Sequence, residues 1–339
     1  MSVPPSASPA KKMKLQYKKY IKKTSRGDAE TQSFNSKALF SSSAPLRLCE
    51  MVFLIIFLLF IFSCSRSALN DKLLIVVSIP PQAWFVSQIA GDNTEVIVLV
   101  PPGQNPHNYE PTPRQIRTLT SAKTWILSGT EFEISLRPKI EALFPDLLIV
   151  DGTEHVDFRL LTHHELHDCD HDHDHSSLEI DRHTWLGRIP AIKLINTVTQ
   201  TLYRFDQENG DIYFERMNNT IWDINNVFDE LKILLAPLYG KSVFVYHPSF
   251  GYFFDEFNIY QEAVETGGKE PTPRQLNLLI EKMIEEKPAA IFVQTQFPVN
   301  AARTIANTAG AQVLEMDPLA ADWLENIRRM GETLQKAIP

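Results

Sequence analysis

The chain reads as an α/β protein of two similar lobes with mostly parallel sheets, joined by one long rigid helix. Short, near-continuous apolar runs alternate with helical patterns, as parallel strands covered on both faces require. The hexapeptide EPTPRQ occurs twice, at Glu110–Gln115 and Glu270–Gln275. Between the two halves, Asp211–Ala236 carries an unbroken apolar stripe at helical spacing.

Taken in order, the first element is set apart by charge. Residues 1–63 hold ten Lys/Arg against three Asp/Glu, so the rest of the chain carries −15 while the whole carries −8. So acidic a body is a poor fit to nucleic acid. Met51–Phe62, MVFLIIFLLFIF, is too short to span a bilayer as a helix, which takes about 20 residues, but fits the apolar core of an export signal. Ser63-Cys64 follows, and the tail IFSC resembles a lipoprotein signal with Cys64 as the lipidated first residue. Cleavage nearby or an uncleaved anchor are the alternatives. Residues 1–64 are thus read as a basic extension plus leader of an exported protein, periplasmic or lipid-anchored outside a membrane. Residues 1–45 are long for a signal, fit an upstream mis-assigned start, and are given no fold. Of three cysteines only Cys169 lies in the body, so no disulfide framework holds it.

The first lobe is placed at 72–208. Its strands are LLIVVSI (73–79), EVIVLV (95–100), TWILS (124–128) and LLIVD (147–151). The second lobe, 240–339, has SVFVY (242–246), AAIFV (289–293) and AQVLE (311–315). After each EPTPRQ comes a helical pattern whose Thr can cap a helix with Pro in its first turn. The echo suggests two topologically related lobes, although six residues can recur by chance. In the linking segment, 209–238, Tyr213, Met217, Ile221, Ile224, Val227, Phe228, Leu231, Leu234 and Leu235 recur every three or four residues, and Pro237 with Gly240 ends the run. At 1.5 Å per residue it spans about 39 Å, enough for a stiff backbone between lobes. A helix of one larger domain is the other reading.

Six of the ten histidines, His163, His164, His167, His171, His173 and His175, fall within residues 162–175, interleaved with carboxylates. Such a tract cannot bury a core and reads as a mobile zinc or copper catcher, or as a solvated acidic loop. Cys169 within it is an exposed thiol or an extra ligand.

The structured site must use residues elsewhere. His107 lies in VPPGQNPHNYEP just after a strand, His183 in DRHTWLGR, His247 directly after SVFVY, and Asp317 after AQVLEM. Ligands of open α/β sheets bind at the carboxyl ends of strands, and three of these four positions suit that rule. Singly, each His fits a hydrogen-bonded structural residue and the Asp fits a turn. Together, beside a histidine-rich loop, they point to a metal.

PPGQNPHNYEPTP, DRHTW, HPSFGYF, EPTPRQL and MDPL, in that order, resemble the metal-binding receptors of bacterial zinc and manganese ABC importers. The resemblance covers roughly Lys72 to the C-terminus. It implies two α/β lobes joined by a rigid helix with one metal between them, held by His107, His183, His247 and Asp317, and a membrane permease as partner. The chain departs from the family at Arg182, usually Pro, and at Gly187, usually Asp, which bears on the surroundings of His183. Pro106 excludes an extra Glu ligand before the first His, and Glu110 reads as a helix cap, with a place beside the metal as the alternative. Three imidazoles and a carboxylate favour Zn2+, transported rather than catalytic, over manganese. A manganese receptor and a surface adhesin of the same fold are alternatives. So is a zinc hydrolase with Glu110 as base, although no HExxH is present.

Overall fold

The computed structural model describes residues 72–161, 180–265, 272–297 and 299–338. The first sheet is built on β1 (Leu73–Val77), which pairs in parallel with β2 (Thr94–Val98) and β3 (Thr124–Leu127); β3 pairs with β4 (Leu148–Asp151). The second is built on β5 (Ser242–Val245), which pairs with β6 (Tyr260–Ala263) and β7 (Ala290–Val293); β7 pairs with β8 (Gln312–Glu315). The orders are β2-β1-β3-β4 and β6-β5-β7-β8, so each sheet repeats the other strand for strand.

Local chemistry starts the helices. In α1 (Pro80–Ala90) two prolines occupy the first turn, where no N–H is needed. Gln82 Oε1 accepts from the N–H groups of Ser78 and Ile79 at 2.9 and 3.3 Å, and its Nε2 donates to Leu127 O, fastening the helix to the end of β3. α2 (Pro113–Thr118) is capped by Thr112, whose hydroxyl accepts from Gln115 N while Gln115 Oε1 accepts from Thr112 N. α7 (Pro273–Glu286) begins at the matching proline of the second hexapeptide. Because α2 follows β2 and α7 follows β6, the echo marks equivalent turns of the two lobes.

The remaining helices are α3 (Glu131–Leu143), α4 (Arg188–Phe205), α5 (Gly210–Leu234), α6 (Gly251–Asp255), α8 (Val299–Ala309) and α9 (Trp323–Gln335). In α5 the expected stripe is the inward face: Tyr213, Met217, Ile224, Val227, Phe228 and Leu231 are buried. It stops two residues before the expected end, and Pro237, with no N–H, sits inside a 3-10 turn, Ala236–Leu238.

α5 packs against α1, α4 and α9, so the C-terminal helix returns to the first lobe. Phe85 and Trp323 have ring centroids 4.7 Å apart, and one buried cluster runs from β1 through α5 to Leu334. Gly331 is needed for this approach, because a Cβ there would collide with Leu231. A second cluster, around Phe244, Leu279, Met283 and Ile305, supports the outer side of the second sheet.

One strand was not expected. β6 is an edge strand of sequence YQEA, with Tyr260 half exposed and buried Glu262 paired to Lys282 at 2.6 Å; its backbone register, not an apolar run, makes it a strand. Among the described residues no helix is long and apolar enough to cross a membrane. The leader with Cys64 and the histidine-rich loop lie outside the described residues.

Candidate metal centre

His107 is carried by the loop after β2. Two backbone bonds, Leu99 N to Val77 O and Val100 N to Ser78 O, extend the ladder past the strand end. Gln115, the partner of the α2 cap, donates to Leu99 O at 2.6 Å and bonds Tyr109 Oη, which pins both sides of the loop. Asn105 Oδ1 then accepts from the His107 amide. With the loop fixed, His107 Nδ1 lies 2.8 Å from Glu131 Oε2, on the first residue of α3.

His183 lies between the stem of the histidine-rich segment and a 3-10 turn, Thr184–Leu186. Asp181, with no exposed surface, accepts from both His183 N and His183 Nδ1 through one oxygen, at 3.0 and 2.9 Å. His247 follows β5 directly. Its amide donates to Gln294 Oε1, Gln294 Nε2 donates to Ser249 Oγ, and His247 Nδ1 lies 2.8 Å from Glu265 Oε2.

Each imidazole therefore turns Nδ1 to its own carboxylate. That pairing fixes the tautomer with hydrogen on Nδ1 and leaves the Nε2 lone pair as the ligand atom, the arrangement seen where histidines hold metals. Ligand nitrogens of His107, His183 and His247 all lie within 4.8 Å of one another, and His107 Nε2 is 3.0 Å from His247 Nε2. The cluster opens into a small pocket walled by Pro106, Trp185, Phe297, Pro318 and Leu319. Phe297 stacks on the His247 ring at 4.7 Å.

Electrostatics favour a neutral ring at His247 and charged carboxylates at Asp181 and Glu131. Burial, reinforced by the neighbouring His183 and His107, lowers His247 to about 4 against the opposing pull of Glu265. Burial alone would raise Asp181 and Glu131. Hydrogen bonds and charge from His183 and Arg159 hold Asp181 below its usual range, and those from His107 do the same for Glu131.

Of the four expected site residues, three histidines come together. Asp317 is not in their cluster: its Oδ1 accepts from Gln296 Nε2 and from Leu319 N, both at 2.9 Å. Glu110 is exposed, and the carboxylate against His107 is Glu131 instead. Glu131 and Glu265 were missed by sequence reasoning. Glu131 follows the end of β3, which was the available signal, whereas Glu265 follows β6, the strand that no apolar run announces. At the two departures, Arg182 donates to Gly129 O at 2.9 Å, and a Cβ at Gly187 would sit 3.0 Å from Tyr252 Cβ, tighter than ordinary packing.

Residues 75–337 match the family described as zinc-uptake complex component A, periplasmic, or ZnuA. The chain belongs to the ZnuA family. Zinc-binding lipoprotein AdcA of Streptococcus pneumoniae strain R6 is 26% identical over 77% of this chain and 53% of its own length, so the chain spans about half of that relative. The high-affinity zinc uptake protein ZnuA of Yersinia pestis is 24% identical over 73% of this chain and 83% of its own. A solved ZnuA deletion mutant with zinc bound is 31% identical, covers 79% of this chain and 98% of its own, and superposes with a TM-score of 0.72. The two parallel sheets and long helix are thus the ZnuA architecture, and Asp181 bonds His183 in this ZnuA member even with Arg182 beside it.

Proposed function

We propose that this chain captures zinc outside the cytoplasm and delivers it to the permease of an ABC importer. The observation that carries the reading is the convergence of three Nε2 atoms, each ring oriented by a carboxylate, in a member of a zinc-uptake family. His107, His183 and His247 are the proposed ligands. Asp317 is the proposed fourth donor, and to serve it must share or exchange its bond with Gln296. Three nitrogens and one oxygen suit tetrahedral zinc better than manganese, which takes more oxygens. Against a hydrolase, the carboxylates beside the cluster, Glu131, Asp181 and Glu265, are already committed to imidazole nitrogens rather than aimed at a water.

Export by the Met51–Phe62 signal, with a lipid on Cys64, would place the receptor beside its permease. The histidine-rich loop would add weaker, auxiliary zinc binding. The deciding experiment is elemental analysis of the domain from about residue 65 onward: one tightly held zinc per molecule is expected. A purified, folded domain that takes up no zinc would overturn the reading. Zinc-dependent turnover of peptides, esters or phosphoesters would favour the hydrolase.

A further inference from the structure

Arg159 stands at the stem of the histidine-rich segment, where Leu160 and Ile180 form an antiparallel bridge and Asp181 N donates to Arg159 O at 3.0 Å. Its guanidinium binds two carboxylates from different lobes. Nη1 donates to Asp181 Oδ2 at 2.9 Å, while Nε donates to Asp255 Oδ2 at 3.0 Å and Nη2 reaches Asp255 Oδ1 at 3.5 Å. Asp255 ends α6, in the second lobe. Tyr252, from the same helix, accepts from Arg159 N at 3.0 Å and donates to Asp181 O at 3.2 Å. The guanidinium lies so close to Gly251 Cα that a Cβ would collide with it and with Asp181.

This junction reaches the metal cluster in one step. Asp181 spends its other oxygen on His183, and His183, unlike His107 and His247, does not follow a strand that could place it. We propose that Arg159 is a positioning residue for metal retention: it clamps α6 of the second lobe onto Asp181, so that lobe separation and loss of His183's orientation are a single event. The proposal rests on the reading of the chain as a zinc receptor. Zinc held by His107 and His183 from one lobe and His247 from the other resists separation, and the Arg159–Asp255 pair adds to that resistance. Weakening the clamp therefore speeds release more than it slows capture.

The test is stopped-flow release of zinc into excess chelator, with association measured separately, on the parent, Asp255→Asn, Arg159→Lys and the double variant. Asp255 is 57% exposed, so a surface pair of about 0.6–1 kcal/mol is at stake, and Asp255→Asn should speed release about threefold to fivefold with little change in association. Arg159→Lys keeps a charge on Asp181 but cannot fork to both carboxylates, so it should do the same. The double variant should be no faster than Arg159→Lys alone, because the two changes break one contact. A purely structural role for Arg159 would give additive effects. Additivity, or parental release from Asp255→Asn, overturns the clamp. A parent that binds no zinc overturns the function instead, so the two failures are separate.

Discussion

His107 and His247 face one another Nε2 to Nε2 at 3.0 Å, the first from the loop after β2 and the second from the end of β5. Each has its Nδ1 beside a glutamate, so neutral rings present two lone pairs to each other, which repel unless a cation or proton lies between. A divalent ion placed between them, as proposed, would relieve the repulsion and join the lobes. His183 closes the triangle, with ring centroids 5.3 Å from both.

Zinc that binds only the closed cleft must raise the melting temperature as its concentration rises, by about 2.7 kcal/mol of stability at one hundred times the dissociation constant. His183→Ala should remove most of this gain. A variant stabilised by zinc as strongly as the parent would remove His183 from the site.

The orienting carboxylates should matter nearly as much as the ligands. Glu265→Gln keeps the shape beside His247 but removes the charge, and zinc affinity should fall about 10- to 100-fold. Competition titration against a zinc chelator measures it. Equal affinities would mean that Glu265 merely fills space.

Acid should loosen the zinc-free protein before its ordinary carboxylates titrate. His247 titrates near 4 in the fold against 6.5 in the unfolded chain, so between those values the unfolded state binds more protons and stability drops as pH falls, by up to about 1.4 kcal/mol per pH unit. Asp181 and Glu131, held low, extend the loss below their unfolded values of 3.8 and 4.5. Glu133, raised by burial that its hydrogen bonds to Ser128 and Gly129 only partly offset, works in the opposite sense above 4.5. Thermal melts from pH 7 to 4 should show the fall, and His247→Gln should flatten the part between 6.5 and 4. An unchanged slope in that variant would assign the loss to other groups.

Much of this was legible in the chain, and the part that was not has a physical reason. Seven strands announced themselves as apolar runs because parallel strands are buried on both faces, whereas β6, an edge strand reading YQEA, did not. The stripe on α5 and the Thr-Pro helix starts were plain because they are local. His107 and His247 could be nominated from their places after strands. Glu131 and Glu265 could not be matched to them, since those pairs form through space across 24 and 18 residues with no periodicity to mark them. Asp181 lay two residues before its histidine in the sequence, yet its link to Asp255 through Arg159 appears only when α6 is folded against the stem.

Metal choice rests most directly on His247. Its replacement by a carboxylate, His247→Glu, exchanges nitrogen for one or two hard oxygens and adds a negative charge in a pocket that already holds Glu265. Manganese, which prefers oxygen donors, should gain relative to zinc. Zinc should keep the higher absolute affinity, because its place above manganese in the order of divalent affinities applies at most sites. The informative quantity is thus the ratio of zinc to manganese dissociation constants, by competition in buffered metal, in parent and variant. Burial of a second carboxylate beside Glu265 raises the cost of the metal-free state, so both metals should also stabilise the variant against heat by a larger margin. If the ratio is the same in both proteins, His247 does not touch the metal, and the three-histidine assignment must be withdrawn.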